Sequence, residues 1–340
     1  STYITHGKQF LGMISSLART LISDLRLDRP PQPLYCPGIG PQAEYKTDQT
    51  NEGRRALLAV YTLSACIATT FKYEIMPWNL QIDEACNKLS SDKESDRDWI
   101  LFTTARFARI SLDATEIARK AVDDTDFAKN VVMVIDPLKT SLNNLVSTLS
   151  AEQLKDYTVQ AFIHNTDIII HELVLLQPPP FYQHTSDYKR ISYLTTCLQI
   201  SKVCTSTFLD ADFTLINSAT MLVFLHCIKV VYRLSTLHND PAWNPSIVKD
   251  SVDLVHILEQ AASAVELANE VFKAQTGEDS VLAVAAETMR ATAPNWRVPE
   301  PNVNVGDLAA APGWGAAVDG LDTSMLDFPE DFWLSDVFNF

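Results

Sequence analysis

The sequence predicts an all-α protein, built as a single large multi-helix regulatory domain of about nine or ten helices with an acidic-aromatic C-terminal tail. Of its 340 residues, 46% are hydrophobic, which is enough apolar mass for a sizeable core. No glycine occurs between Gly53 and Gly277, whereas a β-rich core of that length would normally need glycine turns. Apolar residues recur at every third or fourth position, which is the period of a helix face.

The first three helices are predicted from this period and from the breaks between them. Residues 7–27 form the first, whose apolar face is Phe10, Ile14, Leu17, Leu21 and Leu25. A loop rich in proline covers residues 30–50. The second helix spans residues 51–72 and ends before Pro77, and a short helix follows over residues 80–89.

Capping signals place the helices that follow. Ser95 with Asp98 resembles a capping box that opens a helix to about residue 124, and Ser150 with Gln153 opens one that ends at residue 177, before three prolines. The other predicted helices cover residues 129–149, 188–208, 213–237, 247–275 and 280–293.

The charge and the composition exclude several functions. The chain has 27 basic and 42 acidic residues, a net charge of −15, which argues against binding a phosphate backbone or an anionic membrane surface. Its longest apolar run, residues 221–234, contains His226, Lys229 and Arg233 and is judged too short and too charged to span a bilayer. None of the six cysteines forms a C-x-x-C pair, so no zinc ribbon or redox motif is predicted.

Each candidate for catalysis or metal binding has a more favoured structural interpretation. The acidic run from Asp123 to Asp126 lacks the carboxylate one turn further on that a diphosphate-metal site needs, and is interpreted as a helix end. His164 and His171 lack the H-E-x-x-H spacing. We therefore expect no enzyme, no catalytic or metal-binding residue and no cofactor in this sequence, and an all-α enzyme is the least favoured alternative.

The C-terminal segment differs from the rest of the chain. Residues 300–340 contain eight acidic residues, six aromatic residues and no Lys or Arg, a composition typical of segments that order on a partner. With a helix beginning at Pro329, several apolar side chains would share one arc. The residues predicted to contact a coactivator groove are Phe328, Phe332, Trp333, Leu334, Val337 and Phe338. The alternative is that the tail docks on its own domain as a last helix.

One stretch of sequence resembles a known family. Residues 52–64 read E-G-R-R-A-L-L-A-V-Y-T-L-S, and they are followed by an M-P-W turn at residues 76–78 and a D-E-A-C-x-x-L helix at residues 83–89. These strings resemble the fungal-specific transcription factor domain, the middle homology region of fungal zinc-cluster transcription factors. The resemblance covers about residues 10–110. The residues that carry it are Arg54, Arg55, Tyr61, Trp78, Asp83 and Cys86.

The resemblance implies an all-α regulatory domain, here residues 1–295, in a nuclear protein, with residues 296–340 as an activation segment. It also implies a zinc cluster of six closely spaced cysteines and a basic region upstream, which this sequence does not contain. Zinc and DNA are therefore expected only through a missing N-terminal domain. A homodimer is left open, and no membrane partner is expected.

The leading hypothesis is the regulatory and transactivation part of a fungal transcription factor, which acts through a coactivator and is gated by a small-molecule effector. The alternatives are a helical effector-binding sensor and a protein-interaction scaffold without an activation role. The effector pocket is unknown from sequence. Tyr73 and Trp78 are weak candidates for its lining, and a core position is favoured for both.

Overall fold

The computed structural model of the chain describes residues 2–30, 49–71, 73–177, 188–214, 216–237 and 243–296, with side chains from residue 12 onward except at residues 218, 281, 292 and 295. Over these residues the protein is all-α, with no strand, so the predicted fold class is confirmed. The six tail residues predicted to contact a coactivator lie outside the described residues.

Twelve α-helices and four short 3₁₀ helices are described. The α-helices are α1 (Thr2–Asp24), α2 (Asn51–Phe71), α3 (Leu80–Asp92), α4 (Asp98–Asp123), α5 (Thr125–Lys129), α6 (Ile135–Ser147), α7 (Tyr157–Glu172), α8 (Tyr188–Leu209), α9 (Ser218–Thr236), α10 (Ser246–Ser251), α11 (Leu254–Thr276) and α12 (Val281–Thr292). The 3₁₀ helices are Val131–Val134, Gln153–Lys155, Leu173–Leu176 and Ala293–Trp296. Apart from the short α5 and α10, ten α-helices remain, in agreement with the predicted number.

Short polar side chains start several of these helices. In each case the side-chain oxygen of the residue before the helix accepts a backbone N–H from its first turn, which satisfies a donor that has no partner within the helix. The residues that do this are Asn79 for α3, Asp124 for α5, Asp156 for α7, Asn217 for α9, Asp253 for α11 and Ser280 for α12. At the other end of α11, Gly277 has φ +83°, the left-handed conformation that glycine adopts most readily.

The two predicted capping boxes have different outcomes. Ser150 and Gln153 do bond reciprocally, at 2.9 and 3.2 Å, but they open only a 3₁₀ turn, and Asp156 caps α7. The box at Ser95 and Asp98 is wrong, because α4 begins after Arg97 with no side-chain cap. The Asp98 carboxylate points instead at Arg55 of α2.

Helices α2, α4, α7 and α9 form a ring around the centre of the core, in which each helix contacts two of the others. Large side chains without exposed surface, such as Tyr61 in α2, Phe107 in α4 and Phe224 in α9, fill this region. Burial of each of the two phenylalanines is worth roughly 1.5–3 kcal/mol relative to exposure. By length and composition the Ala219–Thr236 window of α9 could span a membrane, contrary to the sequence estimate, but 61% of it is buried inside the protein, as in a core helix.

Candidate functional site

Arg55 joins the starts of two helices. Its Nε donates to Asp98 Oδ1 at 2.8 Å and its Nη2 to Asp98 Oδ2 at 2.9 Å, and Nη2 also reaches Glu94 Oε2 at 2.8 Å. Its neighbour Arg54 is buried and donates to Asn51 Oδ1 at 2.7 Å. Both arginines of the motif thus hold the beginning of α2 in place. Arg55 does so by a bidentate ion pair with the buried Asp98 carboxylate.

The Arg55–Asp98 pair makes stability depend on pH. Hydrogen bonding from Arg55 lowers the pKa of Asp98 in the folded chain despite the opposing effect of burial. A carboxyl group with a lowered folded pKa stabilises the fold above its unfolded pKa and loses that contribution as the pH falls through the folded value. We expect a double-mutant cycle of Arg55→Gln and Asp98→Asn, followed by urea unfolding, to show coupling at pH 7 that shrinks below about pH 4. Equal coupling at both pH values would contradict this assignment.

The other motif residues pack α2, α3 and α4 together. The Tyr61 and Trp78 rings meet edge to face at 5.3 Å between centroids, and the Arg109 guanidinium lies 4.9 Å from the Trp78 ring. Cys86 is fully buried, and burial raises the pKa of its thiol to about 12, so it is not a nucleophile at neutral pH. Asp83 accepts from the Asn87 amide at 3.1 Å within α3.

A cavity of about 420 Å³ lies between four helices, α2, α4, α7 and α9. The 3₁₀ helix that follows α7 also lines it. Four residues on one face of α9, three or four positions apart, form one wall: His226, Lys229, Val230 and Arg233. Helix α4 supplies Ala114 and Ala118, whose small side chains leave space. Neither Tyr73 nor Trp78 lines this cavity. Tyr73 is half-buried and lies against α1, where a Cβ on Gly12 would come within 2.9 Å of its ring.

Glu172, at the end of α7, is the centre of a charged cluster in this cavity. Its Oε1 lies 3.3 Å from His226 Nε2 and its Oε2 lies 3.6 Å from Arg233 Nη1. Burial would raise the pKa of Glu172, but His226, Arg233 and Lys229 outweigh that effect and hold the pKa below its ordinary value. The carboxylate is therefore ionised at neutral pH.

Two further cations line the cavity. Arg119 Nη2 donates to the Tyr73 carbonyl, and Lys229 Nζ donates to the Thr70 carbonyl at 3.2 Å. The His226 side chain is buried. Its Nε2 has the long contact with Glu172, and its Nδ1 has no hydrogen-bond partner among the described residues. Buried polar atoms without partners are rare and costly in native proteins, so Nδ1 marks a place where a polar ligand atom would be stabilised.

A second hollow is larger but has another character. About 790 Å³ of space lies between the C-terminal half of α8 and the start of α11. Its lining is largely exposed and polar, and Asp253 there already caps α11 by accepting from the His256 backbone N–H at 3.1 Å. We therefore take the four-helix cavity as the candidate site.

The sequence singled out other polar residues that have structural roles. Asp124 Oδ1 accepts from the backbone N–H groups of Asp126 and Phe127 at 2.9 and 3.0 Å, as expected for a helix cap. His171 pairs with Asp167, with 3.1 Å between His171 Nδ1 and Asp167 Oδ1, and Lys139 contacts the other oxygen of the same carboxylate. Within the described ranges, no group of three or more His, Cys, Asp or Glu side chains could hold a metal ion.

Comparison with known families gives a match in the C-terminal part of the chain. A family model described as a C-terminal domain, from a fungal family, matches residues 218–340, which is just over a third of the chain and begins at α9. No curated protein and no solved structure matches. The matched segment contains one wall of the cavity and the tail, but not residues 51–89, which carry the resemblance to the fungal transcription factor domain. The C-terminal part of the chain is thus similar to this fungal C-terminal domain.

Proposed function

We propose that the chain is the regulatory and transactivation part of a fungal transcription factor that acts in the nucleus. In this proposal the helical part, residues 1–295, binds a small-molecule effector in the four-helix cavity. The tail, residues 296–340, contacts a coactivator through its acidic and aromatic residues. DNA binding, and the zinc it needs, would belong to an N-terminal domain, and no catalytic role is proposed.

The observation that carries the effector role is the cavity itself. Its walls come from α2, α4, α7 and α9, so a ligand that contacts all four helices would favour one arrangement of them. A ligand shifts a conformational equilibrium only by the difference in its affinity for the two states. A cavity at the meeting point of four core helices is well placed to produce such a difference.

Helix α9 connects the cavity to the beginning of the tail. Arg233 lines the cavity, and the preceding residue, Tyr232, meets the ring of Trp296 edge to face at 5.3 Å between centroids. Trp296 is buried; it is the first residue of the tail and the last residue that the structure describes. A shift of α9 on ligand binding would therefore act directly on the residue from which the tail continues.

An interaction scaffold is the second candidate, and the surface of α1 favours it. Met13, Leu17 and Leu21 follow one another every four residues and are all more than half exposed. Such an apolar stripe, which none of the described residues covers, is typical of a surface that a protein partner or a second copy of the chain would cover. Self-association of the chain in sedimentation experiments, abolished by Leu17→Glu with Leu21→Glu, would support this candidate.

The transcriptional part of the proposal is tested by fusing residues 300–340 to a foreign DNA-binding domain. We expect the fusion to activate a reporter gene, because acidic-aromatic segments bind coactivator grooves. Silence of the reporter, with the fusion protein shown to be present in the nucleus, would remove the activation role and leave the sensor or the scaffold.

A further inference from the structure

We infer that the four-helix cavity takes a small organic anion with an apolar body, such as a medium-length carboxylic acid. This inference rests on the proposed effector role and names the chemistry of the effector.

The charges that line the cavity favour an anion. Three basic side chains line it, Arg119, Lys229 and Arg233, against the carboxylates of Glu172 and Asp123. The excess of positive charge is notable because the whole chain carries a net charge of −15. A positively charged cavity in a negatively charged protein attracts anions selectively, and its low-dielectric walls strengthen that attraction.

Glu172 shows how a carboxylate fits this site. It already lies between His226 and Arg233, at 3.3 and 3.6 Å, but neither contact has the short, aligned geometry of a strong charged hydrogen bond. Across the cavity, the Arg119 guanidinium has five N–H donors, and its hydrogen bond to the Tyr73 carbonyl uses one of its nitrogens. Arg233, His226 and Arg119 therefore have the donor groups needed to bind a second carboxylate.

The remaining walls favour an apolar body on the ligand. Ala114 and Ala118 of α4, Leu173 and Leu176 after α7, and Val230 of α9 line the cavity with apolar side chains. Small-molecule sites combine such apolar walls with a few well-placed polar groups. A fully polar ion would make no apolar contacts with these walls, and a cation would be repelled by the three basic side chains.

The experiment measures binding of three molecules of equal chain length to the full chain by isothermal titration calorimetry: octanoate, octanol and octylammonium. We expect octanoate to bind about tenfold more tightly than octanol, and octylammonium to bind most weakly, because a buried ion pair adds affinity only for the matching charge.

Two variants, one that removes a positive charge and one that removes a negative charge, distinguish a loss of charge recognition from damage to the fold. Arg233→Gln should weaken octanoate binding about tenfold and leave octanol binding unchanged, whereas Glu172→Gln should strengthen octanoate binding, because it removes the resident negative charge. Lys202→Gln, in the other hollow, is the matched control and should change neither. Weakening by both cavity variants would contradict the inference.

The outcomes distinguish this inference from the proposed function. Equal binding of octanoate and octanol, abolished by the cavity-filling variant Ala118→Phe, would overturn the anion class but keep the cavity as an effector site. Octanoate binding that survives Ala118→Phe, or no saturable octanoate binding, would also overturn the inference. The reporter experiment on the tail is independent of all three results.

Discussion

Replacing Trp296 by alanine is expected to lower the free energy of unfolding by about 3–5 kcal/mol, as for other fully buried tryptophans. The Trp296 side chain has 1% of its surface exposed and packs where α11, α12 and α9 meet. Its removal would leave a cavity beside Tyr232, which adds to the lost burial of the side chain. Urea unfolding of the variant and of the original chain, compared at pH 7, measures the difference.

Two truncations are the controls for this prediction. A chain that ends at residue 296 should unfold at the same urea concentration as the full chain, whereas one that ends at residue 295 should lose as much stability as Trp296→Ala. A large loss on removing only residues 297–340 would mean that the tail docks on the helical part. A loss below about 1 kcal/mol for Trp296→Ala would contradict its place in the core.

In the reporter fusion of residues 300–340, replacing Phe332, Trp333 and Phe338 by alanine is expected to abolish activation. The physical reason is that an amphipathic helix binds a groove through a few large apolar anchors, and their loss removes most of the binding free energy. Reporter output at equal protein level is the measurement.

The control for this experiment is an aromatic residue outside the six residues predicted to contact the groove. Trp314→Ala removes a side chain of the same kind from the same acidic segment and should leave most of the activation intact. Equal loss in the control and in the triple variant would mean that aromatic content matters but these particular positions do not. Full activity of the triple variant would contradict coactivator contact through these residues.

The fold could be predicted from the sequence wherever the signal is local. The helical period, the prolines and the absence of glycine over a long span define the helices. Some helix caps could not be predicted from the sequence, because a polar residue near a helix start can pair with a residue far away in the chain instead of capping the helix. Asp98 serves as an ion-pair partner of Arg55, 43 residues away, rather than as a cap. Asp253 divides the predicted helix at residues 247–275 into α10 and α11.

The candidate site could not be predicted in the same way, because its residues come from four helices. Glu172 and His226 are far apart in sequence and meet only when α7 packs on α9. One signal was present: His226, Lys229 and Arg233 recur at helical spacing within an otherwise apolar run. Ionisable side chains on the buried face of a helix need partners from another element, so they indicate a polar site.

The central claim, that the helical part controls the tail through the cavity, is tested most directly by the reporter output of residues 1–340 fused to a foreign DNA-binding domain. Ala118→Phe fills the cavity, and Ala264→Phe, at another half-buried alanine within a helix, is the matched control. The proposal predicts that output changes severalfold with Ala118→Phe, stays unchanged with Ala264→Phe, and differs from that of residues 300–340 alone. Equal output from all four fusions at equal protein level would contradict it.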